Sequence, residues 1–234
     1  MKLIVLDTET SDLDPTKGAE VIQIAWIELS ETEGVWKPIF STDFNIAFNG
    51  IISPHAQAVH HISANKLTIE KGAVPREKAI EFLLQHIETD SILVAHYADF
   101  DKKFFPQITR PWICTYRASK HIWPGAPSHS NQVLRYWLDL DIFKIAAAVA
   151  TRRPHEALYD AATTASILLK MLEKHTVEQL LIFSKIPARL QKINFGKHKG
   201  TEFNQIPKDY LQWLRQKQDI DDDLRFTIDD ILNK

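Results

Sequence analysis

The run KLIVLDTET at residues 2–10 constrains this chain more than any other stretch. It is rich in leucine and β-branched residues and then stops in acidic and hydroxyl side chains, the pattern of a buried strand. SDLDPTKGAE follows as turn chemistry, and VIQIAWIEL at 21–29 reads as a second strand. After ETEG, KPIFSTDFNIAF reads as a third, so the first fifty residues predict a three-stranded antiparallel meander. From Pro54 the pattern turns helical: Ala79, Phe82, Leu83, His86 and Ile87 are spaced for an amphipathic helix. SILVAHY at 91–97 is a short buried strand. Helical patterns then cover 115–122, 129–140 and, most strongly, the Ala- and Leu-rich 155–174. Strands first and a mixed section after them predict an α/β domain built on a mixed sheet.

With 44% hydrophobic and 25% charged residues, the chain has globular composition, which excludes a disordered or low-complexity protein. Apolar runs such as 145–150 fall far below the roughly 18 residues of a membrane span. No signal-peptide h-region is present, and the single Cys114 forms no internal disulfide. The expectation is a soluble cytoplasmic protein with no membrane association. Net charge is −2, but 185–217 carries eight Lys/Arg against Glu202 and Asp209. This stretch has its own aromatics (Phe195, Phe203, Tyr210, Trp213) and a helical pattern at 207–217, so we divide the chain into a main domain, 1–180, and a small basic C-terminal module, 190–234. In a module of this size most aromatics are needed for a core. Lys197, His198 and Lys199, bounded by Gly196 and Gly200, can present backbone N–H groups and positive charge to a phosphate.

Three carboxylate groupings stand out. Asp7 and Glu9, at i and i+2 on the first strand, project to one face, where like charges repel unless a cation joins them. Mg²⁺ and Mn²⁺ suit such oxygen ligands. Asp101 follows the strand SILVA, and Asp160 lies on the strongest helix. His155 precedes Asp160 by five residues; on one helix they would be about 140° apart, so they do not stack like an i, i+4 zinc pair. Taken singly, each grouping is as well explained by strand ends and helix caps.

In this order, Asp7-x-Glu9, His96-x4-Asp101 and His155-x4-Asp160 resemble the signature of the DnaQ-like (DEDDh) 3′→5′ exonucleases, a family with an RNase H-like fold. The resemblance extends to about residue 180 and includes ISPHAQAVHHIS at 52–63 and Ser130-Asn131. WICT at 112–115, IWPG at 122–125, HSN at 129–131, and INFGKHKGTEF at 193–203 followed by DYLQWL are similar to one bacterial exodeoxyribonuclease subgroup that carries such a C-terminal appendage. Tyr97 departs from the family pattern, which has Asn there, and Ser11-Asp12 replaces its Thr-Gly; neither departure removes a carboxylate.

The resemblance implies phosphodiester hydrolysis assisted by two Mg²⁺, for which Mn²⁺ substitutes. Asp7, Glu9 and Asp160 would hold one metal with the scissile phosphate, Asp7 would bridge to the second, and Asp101 would contribute there. His155 would be the general base. Thr8, Leu13, His60, His96 and Asn131 would contact substrate, with Leu13 and the ISPHAQAVH segment closing the groove around the terminal nucleotide. The implied partner is DNA with single-stranded or frayed 3′ ends, in a repair setting. RNA 3′-end trimming and polymerase proofreading are alternatives with the same chemistry, while intact motifs disfavour a non-catalytic relic. Contacts of Lys197 and Lys199 with nucleic-acid phosphates are the corresponding expectation for the module. Oligomeric state is left open.

Overall fold

The computed structural model describes residues 1–233; Lys234, the end of the expected module, lies outside them. Five strands, β1 (Lys2–Thr10), β2 (Val21–Thr32), β3 (Val35–Asn45), β4 (Ile92–Ala95) and β5 (Trp112–Cys114), form one sheet in the order β3-β2-β1-β4-β5. The meander β1–β3 is antiparallel, and β4 and β5 add in parallel on the other side of β1. Eight α-helices complete the fold: α1 (Pro54–His60), α2 (Arg76–His86), α3 (Thr115–Ile122), α4 (Asn131–Trp137), α5 (Ala157–Leu172), α6 (Val177–Phe183), α7 (Lys208–Arg215) and α8 (Asp222–Leu232).

Both faces of β1 are covered, which is why KLIVL is apolar without alternation. Leu3 and Val5 pack with Ala25, Ile27 and the α5 residues Leu158, Ala162 and Ala165. Ile4 and Leu6 face the opposite way, with Ile24, Trp26 and the α2 residues Ala79 and Leu83. Helix α5 is buried on nearly every side, as its apolar circumference requires. Period-2 alternation therefore puts Asp7 and Glu9 in series with Leu3 and Val5, on the face that carries α5.

The C-terminal module has its own core of Ile193, Phe203, Ile206, Leu211, Leu214, Leu224 and Ile228. It is tied to α3 by a Lys120–Asp223 ion pair of 2.6 Å, and the other Asp223 oxygen accepts the Ala188 N–H at 2.7 Å. Among its aromatics only Phe203 is buried, whereas Phe195 and Trp213 are exposed and Tyr210 half-buried, so the core here is mainly aliphatic. The 196–200 segment also differs from expectation. The N–H groups of Lys199, Gly200 and Thr201 donate to the carbonyls of Gly196, Ile193 and His198, which leaves the lysine ammonium groups, not those amides, for an anion.

Other differences are local. Helix α5 starts at Ala157 with Glu156 as N-cap, and His155 is left-handed at φ 64°, outside the helix. The pattern over 129–140 yields only Asn131–Trp137. Strand β5 and helices α6 and α8 have no counterpart in the sequence reading. Among the described residues, no helix is long and apolar enough to cross a membrane.

Candidate active site

Three chain segments deliver four carboxylates to one end of the sheet. Asp7 and Glu9 come from the last turns of pleat in β1, opposite Ala25 and Gln23 of β2. Asp101 opens a 3₁₀ turn (Asp101–Phe104) shortly after β4, beyond the carboxyl edge of a parallel strand, where open α/β sheets collect ligands. Asp160 sits in the first turn of α5. Gln23, directly opposite Glu9, accepts the Ala157 N–H at 2.8 Å and donates to Asn45 at 2.9 Å. One buried side chain thus fixes the start of α5 against the strand pair that carries Glu9.

Electrostatics follow from the crowding. Burial, then the charges of Asp160, Glu9 and Asp101, holds the Asp7 carboxyl well above the usual carboxylate range. Burial, followed by Asp160 and Asp101, pushes Glu9 up to about 9. Asp101 is pushed up to about 7 by burial, against the opposing hydrogen bond from Thr8 Oγ1 to Asp101 Oδ1 at 2.8 Å. Asp160 is raised by burial, while His155 and Gln132 pull in the other direction. Desolvated carboxylates that repel one another describe a site organised for a cation. The donor set fits a hard divalent ion: ligand atoms of Glu9, His155 and Asp160 all lie within 4.8 Å of one another, and Asp7 feels the charges of the other three carboxylates.

His155 is half-exposed at the rim, with its Nδ1 3.7 Å from Asp160 Oδ2. Its backbone N–H donates to the same oxygen at 3.1 Å. The left-handed backbone of His155, unusual for a residue with a Cβ, lets amide and imidazole both turn toward Asp160.

The remaining expected residues divide clearly. Leu13 is highly exposed on the β1–β2 loop. That loop is tied to α1 by the Ser53 N–H donating to the Ser11 carbonyl at 2.9 Å. His60, at the end of α1, is buried, accepts the Ile62 N–H on Nδ1 at 2.9 Å, and lies close enough to His155 for their charges to interact. His60 therefore stands on the same side as His155, while Leu13 lies on the loop tied to the start of the same helix. Asn131 instead donates to the Asp160 carbonyl (3.2 Å) and Thr164 Oγ1 (3.3 Å), docking α4 on α5. Thr8 spends its hydroxyl on Asp101.

His96 is likewise committed within the protein. A carbonyl can only accept, so the 2.9 Å contact of Nε2 with the His129 carbonyl requires the proton on Nε2, and Nδ1 accepts from Thr115 Oγ1 at 2.9 Å. Burial takes this ring down to about 4, so it is neutral. Lys197 and Lys199 lie on the C-terminal module, outside this cluster. Sequence reading missed Gln132, whose Nε2 donates to Asp160 Oδ1 at 2.7 Å, and Gln23. Neither belongs to a charged motif. Gln23 alone left a trace, as a polar residue within the apolar run VIQIAWI of β2.

A mixed five-stranded sheet flanked by helices, with acidic residues gathered at the end of its central strand, defines the RNase H-like nuclease class. The exonuclease family model RNase_T matches residues 4–168, and the chain belongs to that family as a DEDDh-type 3′→5′ exonuclease. It is 27% identical over 232 residues to Exodeoxyribonuclease 10 of Escherichia coli (strain K12), covering 97% of this chain and 96% of that protein. It is 24% identical over 180 residues to DNA polymerase III subunit epsilon of Aquifex aeolicus, covering 73% and 80% respectively. Among solved structures, Exonuclease X in complex with 5′ overhanging duplex DNA superposes with a TM-score of 0.58 at 27% identity, over 78% of this chain and 99% of that one.

Proposed function

We propose that this exonuclease is a divalent-metal-dependent exodeoxyribonuclease that releases nucleoside 5′-monophosphates from DNA 3′ ends. The observation that carries this is the meeting of Asp7, Glu9, Asp101 and Asp160, from three separate segments, beside the half-exposed His155. DNA as substrate is supported by the similarity to Exodeoxyribonuclease 10, which spans both chains nearly end to end.

In this reading Asp7, Glu9, Asp101 and Asp160 hold two Mg²⁺, or Mn²⁺ in their place. The bound ions supply neutralisation of the phosphate oxygens and acidification of water. His155 accepts the proton of the attacking water at its imidazole, the part of a general base. Its place on a loop at the rim lets it approach only when substrate is seated. Thr8 and Gln132 hold Asp101 and Asp160 in orientation. His96 positions rather than touches: it locks the end of β4 to α3 and to the 129–131 segment. Leu13 and His60 close the groove past the terminal nucleotide, which makes the enzyme act at ends.

Residues 1–180 form the exonuclease domain and 190–234 an accessory module, consistent with the separate hydrophobic cores. Lys197 and Lys199 of the module contact nucleic-acid phosphates. A reducing cytoplasm and a DNA-repair role fit the one free, buried Cys114 and the substrate.

The test uses labelled DNA and RNA oligonucleotides of both polarities with Mg²⁺, Mn²⁺ or EDTA. Metal-dependent mononucleotide release from DNA 3′ ends is expected. Preference for RNA would overturn the assignment of substrate, and full activity in EDTA the assignment of metal.

A further inference from the structure

Tyr210 and Trp213, neighbours on helix α7 of the C-terminal module, form a surface at the outside of its core. Helix α7 buries Leu211 and Leu214. At about 100° per residue, Tyr210 and Trp213 fall on an adjacent stripe, which Lys217 continues just past the helix end. Trp213 is 49% exposed and Phe195 40%. The rings of Tyr210 and Trp213 are 5.3 Å apart between centroids, and His198 meets Tyr210 edge-on at 4.5 Å. Lys197 Nζ lies 5.0 Å from the centre of the Tyr210 ring, and Lys217 Nζ lies 4.4 Å from that of Trp213.

The loop that brings Lys197 and His198 to this stripe needs its glycine. Gly196 has φ 65°, and a Cβ there would come within 3.0 Å of the Tyr210 hydroxyl. The loop is thus built to lie against the ring rather than happening to touch it.

An exposed Trp213 beside a half-buried Tyr210, with a lysine ammonium over each ring, matches the chemistry of an unpaired nucleic-acid strand. Each base offers a π-face to stack, and each phosphate a negative charge to the lysines. A duplex hides its base faces and would engage only the lysines. An apolar protein partner would gain nothing from the Lys197 and Lys217 charges at the contact.

We infer that the Tyr210–Trp213 face of α7, with Lys197 and Lys217 against its rings, binds single-stranded nucleic acid by base stacking. The inference rests on the reading of the chain as a nucleic-acid exonuclease and extends it: the module holds the unpaired strand while the carboxylate site works on a 3′ end. DNA and RNA share this chemistry, so both are tested.

The experiment measures binding of labelled oligothymidylate, oligouridylate and a blunt hairpin duplex to the full-length protein by fluorescence anisotropy in EDTA. Trp213→Ala removes a half-exposed ring and spares the core. It is expected to weaken single-strand binding roughly 5- to 150-fold, the worth of one stacked base, to leave duplex binding unchanged, and to be rescued by Trp213→Phe. Lys217→Glu, which keeps both rings, is expected to weaken single-strand binding and steepen its loss with salt less than wild type. The relative affinities of the two homopolymers report which sugar the face accepts. Wild-type single-strand affinity in Trp213→Ala, or an equal loss on the duplex, would overturn the inference while mononucleotide release from the same protein kept the exonuclease reading intact. Absence of release from the wild-type protein would instead strike that underlying reading.

Discussion

Gln132 donates a 2.7 Å hydrogen bond to Asp160 Oδ1, while the other oxygen of that carboxylate is held by the His155 amide. Gln132 lies on α4 and Asp160 on α5, so the bond fixes the direction in which the last carboxylate of the site points. It also favours the ionised form, opposing the rise that burial imposes.

Gln132→Leu keeps the volume of the side chain and removes the bond. Loss of a hydrogen bond to a charged acceptor is expected to raise the divalent-metal requirement by roughly tenfold or more. Because the bond lowers the Asp160 pKa, its loss moves the acid limb of activity to higher pH. Activity titrated with Mg²⁺ at several pH values checks both effects; an unchanged requirement would separate Gln132 from the site.

Asp7→Ala, Glu9→Ala, Asp101→Ala and Asp160→Ala are each expected to reduce nuclease activity nearly to background while the protein stays folded. Every one removes a buried like charge from the cluster, so melting temperature without metal should hold or rise. Circular dichroism melts and a gel-based nuclease assay decide the matter, and near-normal turnover in any of the four would contradict its assignment.

His155→Ala is expected to cost about 10²–10⁴-fold in rate, the range for a general base. Its ring, however, shares a 4.8 Å neighbourhood with Glu9 and Asp160, the arrangement a metal ligand would also have. Metal affinity measured by calorimetry separates the two roles: a base leaves it nearly intact, whereas a parallel fall would make His155 a ligand.

How far the sequence carries is visible in particular residues. Period-2 alternation put Asp7 and Glu9 on one face, and packing of Leu3 and Val5 against α5 places that face opposite Asp160. Asp101 was legible as the first polar turn after a buried strand. The three-residue β5 was not, because no periodicity can be read over Trp112–Cys114. Helix α8 is hidden by its own cap: Asp221 accepts the Leu224 N–H, and Asp222 and Asp223 complement the helix dipole, yet three consecutive aspartates show no helical periodicity. Most of all, the exposure of Trp213 was not legible, since an aromatic at helical spacing reads the same whether its face is covered or bare.

Without metal, the protein is expected to lose stability as pH rises. Glu9, at about 9, and Asp101, at about 7, titrate in the folded state well above their ordinary values. Between roughly pH 4 and 9 the folded chain therefore binds more protons than the unfolded one, and stability falls with increasing pH. It is fully present below the ordinary carboxylate range and lost on passing through the folded-state values. Added Mg²⁺ should offset the loss, with a benefit that grows with pH. Melting curves in EDTA and in Mg²⁺ from pH 5 to 9 test this; a metal benefit independent of pH would mean that the carboxylates are already ionised in the free protein.

Lys197 and Lys199 offer the last test, because the amides of Lys199, Gly200 and Thr201 in their loop are spent on internal turns while the two side-chain charges remain for a phosphate. Each phosphate contact contributes about 0.7–0.9 to the slope of log binding constant against log salt. Replacing both lysines by alanine should therefore flatten the slope by one to two such increments, with turnover at saturating DNA unchanged since neither group lies near the carboxylates. If Lys197 serves only to cover the Tyr210 ring, Lys199→Ala alone will carry the change and Lys197→Ala none. An identical slope in the double variant would remove both lysines from the nucleic-acid surface.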